Sequence, residues 1–131
     1  MAKKTLNITL PIYYIQEYKT KDDKNLLIGL NNYRNWHHVV SNKIKHWYQE
    51  LVIPLVAGFT VNQFSVHYKI YAARNGTDGP NIRSVVEKFF LDGFIEAGGA
   101  PDDCITYLVS DSSEYFIDKE NPRVEILVTE I

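Results

Sequence analysis

Two acidic turns are the places where this sequence could do chemistry. The first is Asp78-Gly79-Pro80-Asn81 and the second is Pro101-Asp102-Asp103. Carboxylates are hard oxygen ligands, so the two turns together could hold a metal ion. Helix capping accounts for the first turn equally well, because Asp is a preferred N-cap residue and Pro80 suits a first helical turn. Asp in the second turn is typical of backbone hydrogen bonding before a strand, so spacing alone favours these structural roles.

A helix is predicted between the two turns. Its apolar residues recur at spacings of three and four, and Gly98-Gly99 would end it. Asn81, Lys88 and Asp92 share one stripe of this predicted helix, starting beside the first acidic turn. The apolar positions are Ile82, Val85, Val86, Phe89, Phe90, Gly93, Phe94 and Ala97.

Hydrophobic periodicity predicts four strands and one further helix around this segment. The chain therefore reads β-α-β-α-β-β, and we expect a single two-layer α+β domain over residues 1–131, with a mixed sheet and both helices on one face. The other predicted elements are a strand from Lys4 to Leu10, a long polar loop from Tyr13 to Asn32, a helix from Tyr33 to Val52, and strands over Phe64–Tyr71, Ile105–Val109 and Val124–Thr129.

Charge is distributed unevenly along the chain. The net charge is −2, yet residues 1–74 contain ten Lys and Arg against four Asp and Glu, whereas residues 75–131 contain four against twelve. A basic half could follow a phosphate backbone while an acidic half gathers metal ligands. Two solvated faces would give the same composition.

Several functional classes are disfavoured by what the sequence lacks. The single cysteine, Cys104, allows no internal disulfide and no zinc cluster, and we assign it only a packing role. No stretch approaches the ~20 apolar residues that span a bilayer, so we expect a soluble cytoplasmic protein without a membrane partner. Nucleotide-binding glycine loops and nucleophile motifs are missing, which disfavours a nucleotide cofactor.

Taken in order, these motifs resemble the RusA family of phage and prophage Holliday junction resolvases. The family pattern is an acidic D-x-D-N turn, a helix carrying Lys and Asp, an Ala-Gly break, an Asp-Asp turn and a terminal strand. The resemblance covers most of the chain and is strongest over residues 78–131. The corresponding stretches are Asp78-Gly79-Pro80-Asn81, Lys88-Phe89-Phe90-Leu91-Asp92, Ala97-Gly98, Pro101-Asp102-Asp103, the final "DKENPRVEILVTEI" and the opening "LNITLP".

The resemblance implies a Mg²⁺-dependent endodeoxyribonuclease that resolves four-way DNA junctions in recombination and repair, inside a bacterial host. By position, Asp78, Asp102 and Asp103 would be the metal ligands. Asp78, Asp103 and Lys88 would be the catalytic residues, with Lys88 as the cation near the scissile phosphate. Since two symmetric strands must be cut, a homodimer is also implied.

One departure from the family pattern bears directly on activity. The family has a second aspartate directly before the Asn of the first turn, and this chain has Pro80 there. Proline cannot ligate a metal. The alternative is therefore a catalytically degenerate RusA-like protein that binds DNA junctions or a protein partner.

The basic half supplies candidate DNA contacts. Phosphate contacts are independent of sequence, which suits a protein that recognises junction shape. A solvated helix face is the alternative interpretation. The predicted DNA-binding residues are Arg34, His37, His38, Lys43, Lys45, Lys69 and Arg74, with Lys19, Lys21 and Lys24 in the preceding loop.

Overall fold

A mixed four-stranded sheet and three helices form the body of the protein. The computed structural model describes residues 2–16 and 24–131. In chain order the elements are β1 (Thr5–Leu10), β2 (Tyr13–Gln16), β3 (Lys24–Leu27), α1 (Leu30–Asn35), α2 (His38–Val56), β4 (Phe64–Ala72), α3 (Gly79–Glu96), β5 (Leu108–Ile117) and β6 (Arg123–Glu130).

The sheet has the strand order β1-β6-β4-β5. Strand β6 is antiparallel to both β1 and β4, whereas β4 and β5 are parallel and joined through α3. A parallel pair needs a long crossover connection, and α3 provides it. Strands β2 and β3 form a separate antiparallel pair. The expected α+β class with a mixed sheet is confirmed at this level.

One face of the sheet is buried beneath α2 and α3. Along β4, Phe64, Val66, Tyr68, Ile70 and Ala72 are buried, while the alternate residues are half-buried on the opposite face. Strict alternation of this kind is expected for a strand with one covered face. On the helix side the core is aromatic, and its fully buried rings include Tyr48, Phe89, Phe90 and Phe94.

The predicted loop from Tyr13 to Asn32 and the predicted helix from Tyr33 to Val52 are both wrong in extent. The loop region contains β2, β3 and the start of α1, and the helical region is two helices. Trp36 has extended backbone angles (φ −71°, ψ 136°), which end α1 before α2 begins. Helix α2 also continues through Pro54. Proline in a helix costs about 3 kcal/mol, and burial of the flanking Val52 and Val56 offsets this cost.

The predicted strand Ile105–Val109 is also misplaced. Strand β5 begins at Leu108, and the side chain of Ile105 is 93% exposed. Apolar composition predicted the strand here, but parallel pairing with β4 selects the later, serine-rich segment. None of the described helices is long and apolar enough to cross a membrane.

Candidate functional site

The N-terminal end of α3 carries the first acidic turn. Asp78 is the N-cap residue: its Oδ1 accepts from the backbone N–H of Asn81 at 3.3 Å, and its Oδ2 accepts from Asn81 Nδ2 at 3.0 Å. Pro80 lies in the first turn, where no intrahelical donor is lost. Capping is therefore the observed role of the Asp78 carboxylate.

A cleft of about 650 Å³ opens beside this helix end. Its walls come from the β2–β3 pair, from the start of α1 and from the loop between β4 and α3. Amide side chains dominate its polar groups, and Arg74 and Asp78 are its charged residues. We call this cavity the amide cleft; its lining residues are Tyr13, Asn25, Leu27, Gly29, Leu30, Asn31, Asn32, Arg74, Gly76, Thr77, Asp78, Asn81 and Ile82.

The amide cleft adjoins a smaller cavity of about 340 Å³, because Asn25 and Asn32 line both. Trp36 and His37 close the far side of the smaller cavity, at the junction of α1 and α2. Asn32 is fixed in place, since its Nδ2 donates to the Leu27 carbonyl at 2.9 Å. The two cavities thus adjoin between the N-terminal end of α3 and the α1–α2 junction.

The predicted polar stripe of α3 faces helices α1 and α2. Asn81 lines the amide cleft, and Asp92 is paired with Lys45 at 3.4 Å between Oδ2 and Nζ. Between them, the Lys88 ammonium lies 5.3 Å from the ring centroid of Tyr33, within the range of a cation–π contact. Lys88 is ten residues beyond Asp78, a helix rise of about 15 Å. The structure therefore separates these two predicted catalytic residues.

The second acidic turn follows the other end of α3. Asp103 donates its backbone N–H to Asp102 Oδ1 at 2.8 Å, and both side chains are exposed. Although Asp103 is exposed overall, its carboxyl is partly desolvated, and this desolvation, followed by the contact with Asp102, raises its pKa above the usual value. The negative charge of Asp92 acts in the same direction. Asp103 lies in the segment that connects α3 to β5.

The expected magnesium ligands do not form a metal-binding group within the part of the chain that the structure describes. Across residues 2–16 and 24–131, no group of three or more His, Cys, Asp or Glu side chains is arranged to hold a metal ion. Asp78 caps the N-terminal end of α3, whereas the Asp102-Asp103 turn follows its C-terminal end. The described residues thus do not fit a three-carboxylate Mg²⁺ site.

The predicted DNA-binding residues fall on two different faces. Arg34, His38 and Lys43 are exposed on α1 and α2, and His37 caps α2 by accepting from the Val39 N–H. Arg74 lines the amide cleft, while Lys45 is engaged with Asp92. Lys69 is on the open face of the sheet, away from the helices. Lys19 and Lys21 lie outside the described residues, and Lys24 begins β3.

A charged group between α3 and β5 was not predicted from the sequence. Arg83 pairs with Asp111, donates to Ser113 Oγ at 3.3 Å and lies 3.9 Å from Glu87. Burial is the main cause of a raised pKa at Glu87, with Asp111 and Asp103 adding to the rise and Arg83 opposing it. This group joins the helix to the edge strand. The spacing of Arg83 and Glu87, one helical turn apart, is the only sequence signal that could have indicated an ion pair here.

Asn25 and Asn32, which line the amide cleft, were also missed, because they fell within the region predicted to be a loop.

Neither a scan against protein-family models nor a search of the curated proteins finds a match for this chain. The resemblance to the RusA family stays a prediction that rests on the motifs themselves.

Proposed function

We propose that the chain is a RusA-like protein that binds branched DNA, with four-way junctions as its preferred ligand, and that it does so without metal-dependent cleavage. The observation that carries the proposal is the amide cleft, which joins one arginine and several asparagines to a single, capped carboxylate. This set of groups suits hydrogen bonding to a phosphate backbone better than it suits a metal ion.

Phosphate oxygens in DNA are bound by Arg and Lys, by amide side chains and by backbone N–H groups. Arg74 and the cleft asparagines supply the first two kinds. Arg34, His38 and Lys43 are exposed on α1 and α2, beyond the smaller cavity, and extend the basic surface along the backbone. The preference for junctions comes from the family resemblance, as does the expected homodimer.

The residues at the N-terminal end of α3 support the proposed loss of cleavage. Pro80 replaces a family aspartate, and Asp78 is occupied by two hydrogen bonds to Asn81. Among the described residues, neither Asp78 nor the Asp102-Asp103 turn belongs to a group of three or more side chains that could hold a metal ion. Clustered carboxylates are the hard ligands that a Mg²⁺ site requires, so the single chain is better suited to binding.

The test compares a labelled four-way junction with a linear duplex of matching sequence. Affinity is measured at two or more salt concentrations, and strand nicking is followed in parallel with Mg²⁺ or with a chelator. We expect tighter binding to the junction and no Mg²⁺-dependent nicks. Arg74→Ala should weaken binding about tenfold and lower the salt slope by about one.

Lys3→Ala is the matched control, since Lys3 is an exposed cation before β1, at the opposite end of the sheet from Arg74. It should leave the affinity unchanged. Paired nicks that require Mg²⁺ would instead establish a resolvase, and failure to bind either DNA would refute the proposal. A gain of cleavage in Pro80→Asp would show that the degenerate site needs only its missing carboxylate.

A further inference from the structure

A second cavity of about 370 Å³ lies beside the amide cleft. The loop between β4 and α3 lines both cavities, because Arg74 and Thr77 belong to each. The floor of the second cavity is apolar and comes from the ends of β4 and β5. We call it the strand-end pocket; its lining residues are Ile70, Ala72, Arg74, Asn75, Thr77, Gly79, Tyr115, Phe116 and Ile117.

Tyr115 gives the strand-end pocket a fixed aromatic wall. Its ring lies against the backbone of Gly79 so closely that a Cβ at Gly79 would overlap it. Its hydroxyl is 3.0 Å from Ser113 Oγ, which also accepts from Arg83. Although its ring contacts Gly79 and its hydroxyl is hydrogen-bonded to Ser113, Tyr115 remains 45% exposed. A half-exposed but immobilised ring is a preorganised surface for stacking.

We propose that the strand-end pocket receives one unpaired nucleobase of the bound DNA. This inference rests on the proposed function, since it requires DNA in the amide cleft. Bases of any sequence stack on aromatic side chains, and Tyr115 offers such a ring. Arg74, on the rim that the two cavities share, holds the adjoining phosphate while the base turns inward.

The remaining groups of the pocket suit the edge of a base. Thr77 carries a hydroxyl and Asn75 an amide, so both can donate and accept hydrogen bonds. Ile70 and Ala72 are buried and form an apolar floor against which a base could pack. A volume of about 370 Å³ lies within the range of pockets that enclose small ligands. The pocket would add recognition of a base to a surface that otherwise binds only phosphates.

The experiment uses a four-way junction with one unpaired thymine next to the branch point and the same junction with an abasic site at that position. Wild-type protein should bind the thymine-containing junction roughly 5- to 140-fold more tightly, the range expected for one stacked base. Ile117→Trp should fill the pocket and abolish this difference. Val109→Trp is its matched control, because Val109 is 49% exposed near the other end of β5 and Ile117 is 55% exposed.

Each outcome separates this inference from the proposed function. Equal affinity for the two junctions overturns the base pocket but leaves junction binding intact. A base preference that survives Ile117→Trp places the base elsewhere and also overturns the pocket. No binding to either junction overturns both proposals. If Ile117→Trp does not fold, 2-aminopurine at the unpaired position decides: quenched fluorescence on binding supports stacking, and unchanged fluorescence contradicts it.

Discussion

The two ends of α3 are built for different purposes. At the N-terminal end, Asp78 caps the helix beside the amide cleft, and the polar groups there surround open volume. Past the C-terminal end, the Gly98-Gly99 turn packs against an aromatic cluster, since the Phe94 ring contacts Gly99. The cluster comprises Phe59, Phe64, Phe90 and Phe94, with ring centroids of neighbouring pairs 5.2–6.3 Å apart. The C-terminal end is thus filled by apolar packing, whereas the N-terminal end borders open volume, where we propose that DNA binds.

The largest effect is expected from alanine at the glycine that closes the C-terminal end. Gly98 has φ +81°, and its N–H donates to the Ile95 carbonyl at 2.9 Å. A Cβ there meets no atom within 4 Å, so the cost of Gly98→Ala is backbone strain alone. We expect a loss of about 1–2 kcal/mol in the free energy of unfolding, measured by urea denaturation.

Gly76→Ala is the matched control for this loss at the other end of α3. Gly76 lines the amide cleft, its added Cβ also meets no atom within 4 Å, and its φ is not positive. It should cost nothing or stabilise slightly, because alanine restricts the unfolded chain. Equal losses at both glycines would remove the proposed difference between the two ends.

Removing the cap at the N-terminal end should have a smaller effect. Asp78→Ala deletes the acceptor for the Asn81 N–H and should cost about 1 kcal/mol of stability. Asp78→Asn keeps an acceptor oxygen and should cost much less. Both variants should retain junction binding, because Asp78 is not proposed to contact phosphate. Loss of binding in the well-folded Asp78→Asn variant would show that the carboxylate does more than cap.

The sequence predicted the elements that have strong one-sided patterns. Strand β4 alternates over its whole length, and α3 combines an apolar stripe with an N-cap and a glycine stop, so both were located within a few residues. Strand β5 was misplaced because its central residues are Ser110, Asp111, Ser112 and Ser113, which have little intrinsic strand preference. Its position depends on pairing with β4, and a local pattern cannot reveal that.

The candidate site was predictable on one wall only. Asp78 and Asn81 are three residues apart, so their capping contact is encoded locally. Asn25 and Asn32 reach the same cleft from about 50 residues earlier in the chain, through the packing of β3 and α1. Such contacts form only in the folded state.

The smallest effect is expected from the acidic turn beyond the C-terminal end. Because the pKa of Asp103 is raised in the folded state, the native protein holds its proton more tightly than the unfolded chain does. The resulting stabilisation is present below the usual Asp pKa of about 3.9 and is lost as the pH rises through the raised value. Asp103→Asn removes this titration. The variant should therefore gain stability relative to wild type as the pH rises from acidic to neutral, by less than about 0.5 kcal/mol at this exposed site.

Asp102 provides the internal check on that pH dependence. After burial, the contact with Asp102 is the next cause of the raised pKa of Asp103, so Asp102→Asn should weaken the effect of Asp103→Asn. A double-mutant cycle in urea at pH 3 and pH 7 measures this coupling. If the stability difference between Asp103→Asn and wild type does not vary with pH, the neighbours of Asp103 do not raise its pKa. Coupling that grows from pH 3 to pH 7 would show that the two carboxylates repel one another.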